Sequence, residues 1–278
     1  MGMGKGRCTA VLAAALALGG CVNLEGIQAY SGSAAAVVGA KDAAARWRDS
    51  EKRLVAAKLE GDVCPIGRPG RRPQAEFDAA FDEVSALHDR MSAYFQALGV
   101  LASGQVPKTV PAAKASLVAI KAVVPVDPAE EASTTALFAL LDRALDAYRQ
   151  ERLRDLMTQT HDDVARVLSL MEKLADVYAG EVRGEGIQAV NFVRCSIGQG
   201  DLSDKYLGRR ELARVRARYD ADLATIAAYR QALQKVSADH AAILQALALD
   251  KAGLQRSLKA IAATAKELDA AHAALSAL

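Results

Sequence analysis

The side chains of this 278-residue chain that could do chemistry are four histidines, two groups of arginines and four cysteines. Asp269-Ala270-Ala271-His272 sets a carboxylate and an imidazole one helical turn apart, close to the Glu-x-x-His pairs that di-iron bundles take from two helices. No second such pair is visible. His88 and His240 fall on apolar stripes, where two imidazoles brought together would begin a metal site and two kept apart would be core or register residues. His161 is followed by Asp162 and Asp163, which point to other faces of a helix, so it reads as part of a solvated polar side. There is no Gly-x-Ser-x-Gly, phosphate loop, His-Glu-x-x-His or Cys-x-x-Cys. Nucleophilic hydrolysis, phosphate cradling and zinc-peptidase chemistry thus lack their motifs. Gly184-Glu185-Gly186-Ile187-Gln188-Ala189 has dinucleotide-loop spacing, but it follows a helical pattern rather than a strand. We therefore expect no enzyme, no cofactor and no metal.

Charge supplies the other candidate. Arg68, Arg71 and Arg72 lie in one loop, and Lys205, Arg209, Arg210, Arg214, Arg216 and Arg218 follow in one helical stretch against Glu211 alone. Planar guanidinium donors at such a pole suit an acidic protein surface, a phospholipid or lipopolysaccharide headgroup, or peptidoglycan carboxylates. The competing reading is a solvated helix face neutralised by Asp220 and Asp222. Across the whole chain, 35 basic and 33 acidic residues give a net charge of only +2, which argues against nucleic acid as the partner.

The elements that must position these residues read as all-α. Alanine is about a fifth of the chain and is the best helix former. All seven prolines fall between positions 65 and 128, leaving a first helix over 34–60, a broken middle and long helices beyond. Phe77, Phe81, Val84, His88, Met91, Phe95 and Leu98 step by four and three along one buried face of a second helix. A short helical piece is expected over 112–124. Asp127-Pro128-Ala129-Glu130 offers a cap acceptor, a first-turn proline and a reciprocal Glu. From there one helix is expected to run through Leu137, Leu153 and Met171 to Tyr178 and to kink or end at Gly180, Gly184 and Gly186. The last helix is expected over 202–277. Leu212, Tyr219, Ile226, Leu233, His240, Leu247, Leu254, Ile261, Leu268 and Leu275 recur on it every seven residues, giving a rod of about 110 Å. That stripe can be packed within the chain or serve as a seam between copies.

The N-terminus carries an address. Lys5 and Arg7 precede an apolar run from Cys8 to Leu18, the layout of a secretory signal peptide, too short to span a bilayer. Leu18-Gly19-Gly20-Cys21 resembles the lipobox of bacterial lipoproteins. That resemblance covers only these first residues and implies cleavage before Cys21, a diacylglycerol on its sulfur and an N-acyl chain, which together make stable anchoring. In the sorting pattern of enteric lipoproteins Asp after that cysteine retains the protein in the inner membrane; Val22 here implies the outer membrane, facing the periplasm. With Cys8 removed and Cys21 acylated, Cys64 and Cys195 remain as a disulfide candidate in an oxidising compartment, or as two buried thiols.

The expected organisation is a signal peptide over 1–20, a lipidated tether over 21–33 and an elongated antiparallel helical bundle over 34–278. Both remaining cysteines would end outward-running helices and so share the membrane-distal end. A non-enzymatic scaffold or adaptor follows as the expected function. A periplasmic immunity lipoprotein that masks a toxin, and a metal-binding bundle or enzyme, are the alternatives. Replacing Cys21→Ser should block lipidation and leave the precursor unprocessed, read as a mass shift and loss of palmitate labelling. Normal maturation of that variant would remove the lipobox reading.

Overall fold

The computed structural model describes residues 24–57, 64, 73–103, 120–121, 124–144, 150–199 and 202–278. Every element among them is an α-helix: α1 Glu25–Gly39, α2 Asp42–Arg48, α3 Ser50–Ala57, α4 Gln74–Ser103, α5 Pro128–Ala144, α6 Gln150–Gln199, α7 Leu202–Ala246 and α8 Lys251–Leu275. None is long and apolar enough to cross a membrane. The result is the expected elongated bundle, with α6 alone reaching about 75 Å at 1.5 Å per residue over its 50 residues.

Cross-helix contacts fix the directions. Gln234 donates to Glu172, Arg230 pairs with Asp176 and Tyr219 donates to Glu185, so α7 runs antiparallel to α6. Tyr30 donates to the Val236 carbonyl and Arg46 pairs with Asp222, which sets the α1–α3 segment against α7 as well. Tyr94 meets His240 where His88 stacks on Tyr229, so α4 runs parallel to α7. The α1–α3 segment and α6 thus point one way, α4 and α7 the other, and Cys64 and Cys195 meet at one end at disulfide distance, with an S–S separation of 2.08 Å.

Several boundaries differ from the sequence reading, each for a physical reason. The expected tether over 21–33 is bundle from Leu24 onward: Ile27, Tyr30, Ser31 and Ser33 are buried. Gly26 permits this, because a Cβ there would lie 2.5 Å from the Leu258 carbonyl oxygen of α8. The single helix expected over 34–60 is interrupted at Ala40, whose backbone is extended, and at Asp49. Between those breaks Arg46 and Trp47 are both buried, and the indole sits between Phe77 and Tyr178 at 5.2 and 5.5 Å between ring centroids. Of the helix expected over 112–124, only 120, 121 and 124 are described.

The capping residues at Asp127 and Glu130 make the anticipated reciprocal bonds, 2.8 and 3.0 Å. The helix they start turns back rather than continuing to Tyr178. Lys173 sits 2.6 Å from Glu130, whereas a continuous helix would separate them by about 65 Å. The three glycines do not end α6, which runs through them to Gln199; a helix-interior glycine costs only about 1 kcal/mol, and although Gly180 is exposed, Gly184 and Gly186 are buried on a helix that packs against α7, α2 and α3. The last helix is likewise two helices. Asp250 caps α8 by accepting from the Gly253 N–H at 2.9 Å, and α8 folds back so that Thr264 donates to Asp239 and Lys235 pairs with Glu267. The seven-residue stripe therefore belongs to two facing helices, and no rod of 110 Å forms.

The bond between Cys64 and Cys195 closes 131 residues. In the chain-entropy model such a loop contributes about 5 kcal/mol. Replacing both cysteines with serine should lower the unfolding free energy by about that amount in urea titration, with helicity retained at low denaturant. A change below about 1 kcal/mol would contradict the assignment.

Candidate functional site

The side chains singled out in the sequence fall into three places. Cys21, Arg68, Arg71 and Arg72 lie outside the described residues. Arg209, Arg210, Arg214, Arg216 and Arg218 are all exposed on the first half of α7, toward the Cys64–Cys195 end. Arg214 pairs only loosely with Glu211, at 3.7 Å. Tyr206 and Leu207 stand at the near end of this stretch at 65 % and 59 % exposure, and Leu207 shares a surface hollow with Arg210 and Arg214, which makes this pole both cationic and apolar. Asp222, one of the two carboxylates expected to neutralise it, is instead engaged by the buried Arg46 at 2.8 Å.

Beneath that pole lies a buried ionic cluster that the sequence reading did not identify. Glu185 is 1 % exposed and receives Arg46 at 2.6 Å, both Arg53 nitrogens at 3.0 Å and the Tyr219 hydroxyl at 2.8 Å. Arg53 also donates to the Arg46 carbonyl, and the Arg46 guanidinium lies 5.4 Å from the Tyr219 ring centroid. Burial pushes the Glu185 carboxyl above the usual range against the pull of Arg46, and it pushes the Tyr219 phenol up. The glycine after Glu185 thereby gains a reason. A Cβ on Gly186 would sit 2.9 Å from the Tyr219 ring, so the motif with dinucleotide-loop spacing is a close-approach site between α6 and α7. An acidic residue set between two glycines inside a helical pattern was the available signal.

The histidines separate. His88 stacks on Tyr229 at 6.3 Å between centroids, and burial holds it down at about 4. His240 pairs instead with His161, Nδ1 to Nδ1 at 3.4 Å, so His161 is not simply part of a solvated face. On α8, Asp269 is exposed and His272 half-buried, and they join neither pair. Among the described residues no group of three or more His, Cys, Asp or Glu is placed to hold a metal ion.

Compared with protein-family models, curated proteins and solved structures, the chain matches none. Its function is therefore argued from this geometry. Arg46→Met should cost about 3 kcal/mol in chemical denaturation, since it takes the guanidinium from Asp222 and leaves the buried Glu185 with Arg53 and Tyr219 alone. Arg230→Ala, which breaks only the exposed pair with Asp176, should cost less than about 1 kcal/mol. Equal effects from the two substitutions would contradict the assigned role of the cluster.

Proposed function

We propose that this chain is a non-enzymatic, membrane-anchored lipoprotein of the bacterial periplasm, a helical strut that holds an arginine-rich pole off the outer membrane for an anionic partner. The observation that carries the reading is the pole itself: five exposed arginines over 209–218, beginning beside exposed Tyr206 and Leu207. Arginine and tyrosine are the side chains most enriched where binding energy concentrates, and large apolar side chains left in water at a charged rim favour an interface. The pole lacks the neutralisation by Asp222 that a simple solvated face would use, because Arg46 holds that carboxylate.

The anchor supports the same arrangement from the other end. Tyr30 lies level with Val236, and Arg214 is about 33 Å further along α7 at 1.5 Å per residue. Cys21 precedes α1 by only a few residues, so an acylated Cys21 would set the α1 end on the bilayer and the pole outward. The pole would meet acidic groups of a protein or envelope polymer, and its contacts would weaken with salt.

A photocrosslinking residue at position 214 or 71, introduced in living cells, tests this. We expect one dominant adduct whose yield falls at least tenfold when Arg209, Arg210, Arg216 and Arg218 are changed to serine. No adduct at either position, or an adduct indifferent to those substitutions, would overturn the proposal.

A further inference from the structure

The buried hydrogen-bond chain around His240 has a direction that the residue types dictate. Thr160 donates to the Leu156 carbonyl at 2.8 Å, and a carbonyl can only accept. With that proton committed, the 2.9 Å contact between Tyr94 and Thr160 must carry the tyrosine proton toward the threonine. The Tyr94 oxygen then accepts from His240 Nε2 at 2.8 Å. A neutral imidazole protonated at Nε2 has a bare lone pair at Nδ1.

That bare nitrogen faces another. His161 and His240 have ring planes within 5° of each other, centroids 5.6 Å apart and Nδ1 atoms 3.4 Å apart. The difference, 5.6 less 3.4, nearly equals two centroid-to-nitrogen radii of an imidazole. Both nitrogens therefore lie close to the line joining the rings, which sit edge to edge in one plane with their lone-pair directions opposed. In the hydrogen-bonded form His161 bridges the gap with its own Nδ1 proton. Shifting that proton to its Nε2, on a half-exposed ring, leaves two collinear donors and changes no net charge.

We propose that His161 and His240 form a linear, two-nitrogen site for a monovalent soft cation, the cuprous ion. Metal–imidazole bonds of about 2.0 Å need nitrogens about 4.0 Å apart, so the pair, at 3.4 Å, has to open by about 0.6 Å. Zinc in a protein site takes four ligands, and calcium and magnesium take six or more, mainly oxygens. No third His, Cys, Asp or Glu joins this pair among the described residues. Copper is suited by imidazole, and a closed-shell monovalent ion accepts two ligands in line. Tyr94, by accepting the hydrogen bond from His240 Nε2–H, is a positioning residue of the kind that fixes tautomer and ring orientation at metal sites. This inference stands independently of the arginine pole, which is on another stretch of α7.

The test uses the full chain with Cys8 and Cys21 changed to serine and the Cys64–Cys195 bond intact, so that free thiols do not compete. Under anaerobic conditions with excess ascorbate, cuprous ion is titrated against the chelator bicinchoninate. We expect one equivalent bound per chain, an X-ray absorption shell of two nitrogens without sulfur, and a coupled change in the nitrogen resonances of both histidines. His161→Gln, at a half-exposed position, should lose that equivalent with its helicity unchanged. Tyr94→Phe should weaken binding by about 10- to 100-fold. No stoichiometric uptake, uptake retained in His161→Gln, a sulfur-dominated shell, or unchanged affinity in Tyr94→Phe would each overturn the site.

Discussion

A carboxylate taken out of water costs several kcal/mol unless its charge is met and its lone pairs are filled, and Glu185 imposes that condition on the whole upper half of the molecule. Its two oxygens are filled by Arg46 from α2, Arg53 from α3 and Tyr219 from α7, so four helices must arrive at one point with their side chains in register. Arg46 adds Asp222 and places Trp47 against Phe77 and Tyr178. Apolar packing would tolerate a slip of one turn between such helices; a filled ionic cluster does not. The breaks at Ala40 and Asp49 leave the α2 segment aimed into this cluster.

Much of the architecture could be read from residue order because it rests on local rules. The α4 face from Phe77 to Leu98 shows the helical period without a miss, and the box at Asp127 and Glu130 forms as its residue types require. What could not be read were the reversals. A seven-residue stripe says that two faces are apolar and nothing about whether they lie on one helix or on two facing each other across a turn, so Leu247 and Leu254 continue the pattern through the α7–α8 hairpin. Asp250, three residues before Gly253, was the one local mark of that turn. The α5–α6 reversal hides in the same way behind an unbroken run of helix formers.

Sites were legible in proportion to how much of them lay on one segment. The pole arginines of α7 fall within ten residues of sequence, 209–218, and are exposed in the fold. The Glu185 cluster draws residues from four helices, and the His161–His240 pair draws on two, so neither shows in any single window. His161 reads as solvated from its neighbours in sequence, Asp162 and Asp163, which point to other faces of α6; its ring finds its partner only when α7 is laid beside it.

The Cys64–Cys195 bond also alters what a cut would do. Because it encloses 131 residues, a break in the backbone anywhere between those cysteines yields one two-chain molecule instead of two fragments. The N-terminal piece, carrying Cys21 and α1–α3, stays covalently joined to α7 and α8 with their arginines. A nicked molecule keeps its two ends on one covalent body, so hydrolysis within the ring opens a loop without setting the arginine-bearing end adrift.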